Sequence, residues 1–85
     1  MPEISRFFGI LIYMYRYDHA PPHIHFTYGE FEGIIYISSG VIEGRAPAKV
    51  VKRVLKWWEL HKEELMALWE KAQQGEELYR ISPLT

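Results

Sequence analysis

The chain contains no cysteine. That excludes a disulfide framework and any thiolate zinc site, and it suits a reducing compartment. Excess charge of either sign is also lacking. Ten Lys and Arg stand against eleven Asp and Glu, a formal net charge of -1, so the whole molecule exerts no strong pull on nucleic acid. A long hydrophobic run is absent as well. The apolar stretch from Phe7 to Tyr15 falls well short of the roughly 20 residues needed to span a bilayer, and Arg16 and Asp18 close it. The first residues show no basic start, apolar segment and small-residue cleavage site of the kind that marks a signal peptide. These absences predict a cytoplasmic protein with no membrane partner. No repeat, low-complexity tract or linker divides the sequence.

What is present is a chain of 85 residues, 48% hydrophobic and 15% aromatic. That is too apolar for intrinsic disorder and long enough for one core, so residues 1–85 read as a single domain. Residues 4–17 are rich in Ile, Phe and Tyr without a helix cap, which predicts a strand. Pro21-Pro22 offers no amide donors and marks the loop that follows. A second strand runs from about His23 to Tyr28 and a third from Phe31 to Ser38, joined at Gly29-Glu30, with a brief fourth strand at 41–44. Short connections imply antiparallel hairpins. From Pro47 the period becomes helical: Val50, Val54, Trp57, His61, Leu65, Leu68 and Ala72 follow one stripe, and Gly75 is a C-terminal stop. A helix over residues 47–74 outruns strands of this length, so the sequence predicts a bend or break near residues 60–62. The expected fold is α+β. A three- to four-stranded antiparallel sheet occupies about residues 4–44, and a helical segment, one bent helix or two, packs on one face. The tail, residues 75–85, is irregular.

Three of the four histidines fall within seven residues, in Asp18-His19-Ala20-Pro21-Pro22-His23-Ile24-His25. Strand side chains alternate, so His23 and His25 project from one face, opposite Ile24, Phe26, Ile35 and Ile37. Two imidazoles held this way can take a divalent metal, with His19 or Asp18 as further ligands. The same residues can work as an acid–base pair, with Asp18 orienting a ring and Arg16 as the nearest cation. Two histidines and a cation are in principle enough to cleave RNA through its 2′-hydroxyl. Asp-His before Pro-Pro is equally good turn chemistry, with a purely structural role. If the rings are functional and exposed, replacing either with Ala leaves stability nearly intact.

Two further surfaces stand out. Lys49, Lys52, Arg53 and Lys56 share one helix face and can contact phosphates, or simply be solvated. Tyr13, Tyr15 and Tyr36 should lie with the histidines on the sheet face that one helical layer leaves uncovered. That face is a candidate contact for a second copy or a small partner protein.

The opening Met1-Pro2-Glu3-Ile4-Ser5-Arg6-Phe7, the D-H-A-P-P-H-I-H-F segment of residues 18–26, Tyr28-Gly29-Glu30 and the Trp58, His61, Glu64-Leu65 and Trp69 pattern resemble a small prokaryotic family. That family is domain of unknown function 4160. The resemblance covers nearly the whole chain and implies a compact single-domain protein. Members are often encoded beside a protein of another uncharacterised family, labelled 2442, an arrangement that implies a toxin–antitoxin module. The expectation is a toxin-like protein acting on RNA through the histidine loop. The alternatives are a non-enzymatic protein- or nucleic-acid-binding module and a small divalent-metal-binding domain.

Overall fold

The computed structural model describes residues 3–85; Met1 and Pro2, which begin the family-like opening, lie outside the described residues. Five strands precede one helix: β1 (Glu3–Phe7), β2 (Ile10–Tyr13), β3 (His23–Tyr28), β4 (Phe31–Tyr36), β5 (Ile42–Gly44) and α1 (Ala48–Gln73). The strands form one sheet in the order β1-β2-β3-β4-β5, and every neighbouring pair is antiparallel. The α+β class holds as expected.

The strand count is one higher than expected, because residues 4–17 are two strands and not one. The chain reverses at Phe8-Gly9, with φ of 50° and 79°, and Phe7 pairs directly with Ile10. Two positive φ values in a two-residue loop are the type I′ signature, whose twist matches that of a hairpin. Phe8 carries the less favourable of these conformations. Its ring is half exposed, and the Arg53 guanidinium lies 4.1 Å above it. A bulge between Glu3 and Ser5 then buries both Ile4 and Ser5.

The register places Ile10, Ile12, Met14, Ile24, Phe26, Ile35 and Ile37 on the helix side, each at most 1% exposed. From α1, Val50, Val54, Trp57, Leu65, Leu68 and Ala72 meet them. Removing side chains of this size from water stabilises the fold by about 1.5–3 kcal/mol each.

The expected break near residues 60–62 is absent: α1 runs 26 residues without interruption. The apolar stripe keeps its phase across this point, and the Lys62–Glu59 ion pair and a His61–Glu64 contact (3.5 Å) bridge successive turns. What the strands are too short to cover, other segments cover. At the C-terminal end, the Tyr17 amide donates to the Ala72 carbonyl (3.1 Å) and the Gln73 side chain donates to the Asp18 carbonyl (3.0 Å). The tail lies along β1 despite its irregular conformation. The Ile81 amide donates to Ile4 (2.7 Å), and Trp57 Nε1 donates to Ser82 (2.8 Å).

Pro47 is the N-cap, one position before the helix proper. The C-terminus closes at Gly75 (φ 74°). Its amide donates to Ala72, and the Glu76 amide donates to Lys71, the paired bonds of a Schellman motif. Among the described residues, no helix is long and apolar enough to cross a membrane.

Candidate metal centre

Residues 14–22 connect β2 to β3 and curl back against the last turns of α1. This curl carries Asp18 over the start of β3, where His25 projects from the open sheet face and His23, the first residue of the strand, is buried against Trp69 of α1. One carboxylate oxygen, Asp18 Oδ2, lies 3.0 Å from His23 Nε2 and 3.1 Å from His25 Nε2. All three atoms fall within 4.8 Å of one another. The second oxygen, Oδ1, accepts from the His19 backbone amide at 2.8 Å and sits 3.0 Å from His19 Nδ1. The cluster is an Asp/His2 set whose geometry is compatible with a divalent metal.

The three rings differ in environment. His23 is 2% exposed, packed under Trp69 (centroids 5.3 Å apart) and beside Tyr36. Its Nδ1 lies 2.7 Å from the Pro21 carbonyl oxygen. A carbonyl can only accept, so Nδ1 carries the proton and Nε2 is left facing Asp18. The His25 side chain is 31% exposed and has the edge-to-face Tyr15 ring 4.8 Å away. His19 is almost fully in solvent, its side chain 83% exposed. The exposure that would make His23 tolerant of substitution is not present: both its nitrogens are engaged and its faces are covered.

Burial is the largest influence on the Asp18 carboxyl and pushes its pKa up. The His25 hydrogen bond, the His19 amide and the charges of His23 and His19 outweigh it and hold the group below its ordinary value. Asp18 is thus an anion facing two imidazoles.

Other residues marked in the sequence lie elsewhere. Arg16 donates to the Gly75 carbonyl at 3.2 Å, at the end of α1 and not at the cluster. Lys49, Lys52 and Lys56 are exposed on the outer face of α1, while Arg53 stacks on Phe8. Tyr13, Tyr15 and Tyr36 share the open sheet face as expected. Tyr13 is only 8% exposed, already buried within the monomer, and the other two are half-buried. Burial first, then the neighbouring Glu43 carboxylate, raises the Tyr36 pKa.

Sequence reasoning did not single out Gln73, which anchors the Asp18 backbone, or the contact between Trp69 and His23. The first had no signal; the flank position of Trp69 was the only hint of the second. Also unmarked was a cleft of about 460 Å³ on the open face, lined by His25 together with Tyr13, Tyr15, Thr27, Glu32 and Glu43.

No curated protein and no solved structure matches the chain. A family model does, over residues 9–70, described as Domain of unknown function (DUF4160). The match covers most of the chain and includes Asp18, His19, His23 and His25, and the protein belongs to that family.

Proposed function

We propose that this family member binds one divalent transition-metal ion through Asp18 Oδ2, His23 Nε2 and His25 Nε2. A single observation carries the reading. The Pro21 carbonyl accepts a hydrogen bond from His23 Nδ1, which leaves His23 Nε2 aimed at a carboxylate oxygen 3.0 Å away. A proton or a metal ion bridges such a contact, and a third donor, His25 Nε2, converges on the same oxygen at 3.1 Å. A backbone partner on the remote nitrogen is also how metal-bound histidines are oriented.

The donor set suits a particular class of ion. With two imidazoles, one carboxylate and no thiolate, it favours zinc, nickel, iron or copper over calcium or magnesium. At metal–ligand distances of about 2.05 Å, tetrahedral donors stand about 3.3 Å apart; the two Asp18 contacts, at 3.0 and 3.1 Å, would open slightly, and all three donor atoms already lie within 4.8 Å of one another. Three protein ligands leave positions for water or substrate, the arrangement found in catalytic rather than structural sites. Such an ion supplies Lewis acidity and lowers the pKa of a bound water. The chain's own part is to orient the donors, with Trp69 and Pro21 holding His23, and Gln73 and the His19 amide holding Asp18.

The RNA-directed acid–base reading draws less support. His23 is out of reach of a substrate, Arg16 is engaged at Gly75, and the cleft beside His25 is lined by two carboxylates and no cation. A polyanion is disfavoured there.

The test is titration of metal-free protein with zinc by calorimetry. One ion per chain is expected, with binding lost in Asp18→Asn and in His25→Ala and calcium giving no heat. A titration without saturable zinc binding, or one unchanged in both variants, overturns the proposal.

A further inference from the structure

The cleft on the open face and the proposed metal centre meet at one residue, His25, whose Nε2 faces Asp18 while its ring forms part of the cleft wall. The remaining polar lining has a single sign. Glu32 and Glu43 are its charged groups, with no Lys or Arg among the lining residues. Glu43 faces the Tyr36 side chain as well as the cleft. Tyr13 and Tyr15 add aromatic surface, and an aromatic face attracts a cation. Thr27 offers a hydroxyl that donates or accepts.

Beneath the side chains, part of the floor is the bare backbone of a cross-strand glycine pair, Gly33 opposite Gly44. A Cβ on Gly44 would come within 2.6 Å of the Glu32 carbonyl oxygen, and one on Gly33 within 2.8 Å of the Phe26 ring. Neither position accepts a side chain without moving backbone or core. The volume, about 460 Å³, lies within the range of small-molecule pockets.

We infer that this cleft is a ligand site for a compact organic cation, an alkylamine or guanidinium, seated between the two tyrosines and the two glutamates with its body against the His25 ring. That the bound molecule lies beside a metal rests on the reading above; the cation preference does not. The cleft's charge, aromatic walls and shape are set by residues that are not metal donors. An anionic ligand of the same length meets two carboxylates and no compensating cation. An amine or guanidinium gains an ion pair at one end and aromatic contact along its length.

Agmatine, which carries both an amine and a guanidinium, is the probe, and glutarate is the anionic control of similar reach. Each is titrated into isotope-labelled protein, metal-free and zinc-loaded, and followed by amide NMR. Agmatine should shift Tyr13, Tyr15, Thr27, Ile34 and Glu43 in saturable fashion in the metal-free protein, and glutarate should not. Glu32→Gln with Glu43→Gln should weaken agmatine at least tenfold. Glu32→Gln alone, at an exposed position, should weaken it several-fold. Failure of zinc to bind, with agmatine still shifting these amides, sinks the metal reading and leaves the cation site standing. Zinc binding with no agmatine response, or equal responses to agmatine and glutarate, overturns the cation site.

Discussion

His23 and His25 are two residues apart in sequence, yet their predicted substitutions diverge. His23 is buried beneath Trp69 with both nitrogens engaged, so His23→Ala leaves a cavity and strips Asp18 of a partner. A loss of about 2–4 kcal/mol is expected by urea denaturation. The His25 ring is one-third exposed, and His25→Ala should cost under about 1 kcal/mol. Equal losses would show that the two rings play the same structural part. The Ser5 hydroxyl is a different case: it is buried and has no hydrogen-bond partner. Ser5→Ala removes an unsatisfied group, so it should leave the melting temperature unchanged or raise it. At this scale the sequence was informative about the site. Period-two alternation was enough to put His23 and His25 on one face, and the crowding of three histidines marked the loop. It could not show that Asp18 would be the hub. That depends on how residues 14–22 curl onto α1, a contact between segments more than fifty positions apart, as in the Gln73–Asp18 bond.

At the scale of elements, the helical stripe from Val50 to Ala72 was legible because burial on one side imposes a 3.6-residue period. The same stripe argued against the break expected from length alone, and it prevailed. The Phe8-Gly9 turn was hidden because Phe7, Phe8 and Ile10 read as one apolar run. Only Gly9 marked the reversal, and the usual Asn or Asp before it is missing. The tail was expected to be irregular, and its conformation is, but its docking is specific. Glu3 forms ion pairs with Arg6 and Arg80, each at 2.9 Å, and the hydrogen bonds from Arg6 and then Arg80 are the main influences lowering its pKa. A carboxyl whose pKa is lower folded than unfolded contributes fully above the unfolded value, about 4.3. That contribution is lost as pH falls through the lower folded value. Acidification below about pH 4 should therefore loosen the tail. The Trp57 indole resonance reports it, because Trp57 Nε1 donates to Ser82. In Glu3→Gln that acid step should disappear; its persistence would assign it to another carboxyl.

For the whole molecule, one helical layer on a five-stranded sheet buries one face and leaves the other to solvent, ligand or partner. Ile12 lies at the centre of the covered face and is wholly buried. Ile12→Ala should lower stability by about 2–5 kcal/mol, and a near-neutral result would contradict the register. The open face carries the cleft and the tyrosines, and His25 and Asp18 at its edge, while His23 ties the cluster to Trp69 of the core. The central claim is that two particular nitrogens, His23 Nε2 and His25 Nε2, hold a metal with Asp18. Long-range proton–nitrogen NMR of the histidine rings during zinc addition tests it most directly. The account predicts that these two Nε2 resonances move to metal-bound positions at one equivalent, while His19 and His61 keep the spectra of unligated rings. Zinc appearing on His19 or His61 instead, or no ring responding, would contradict it.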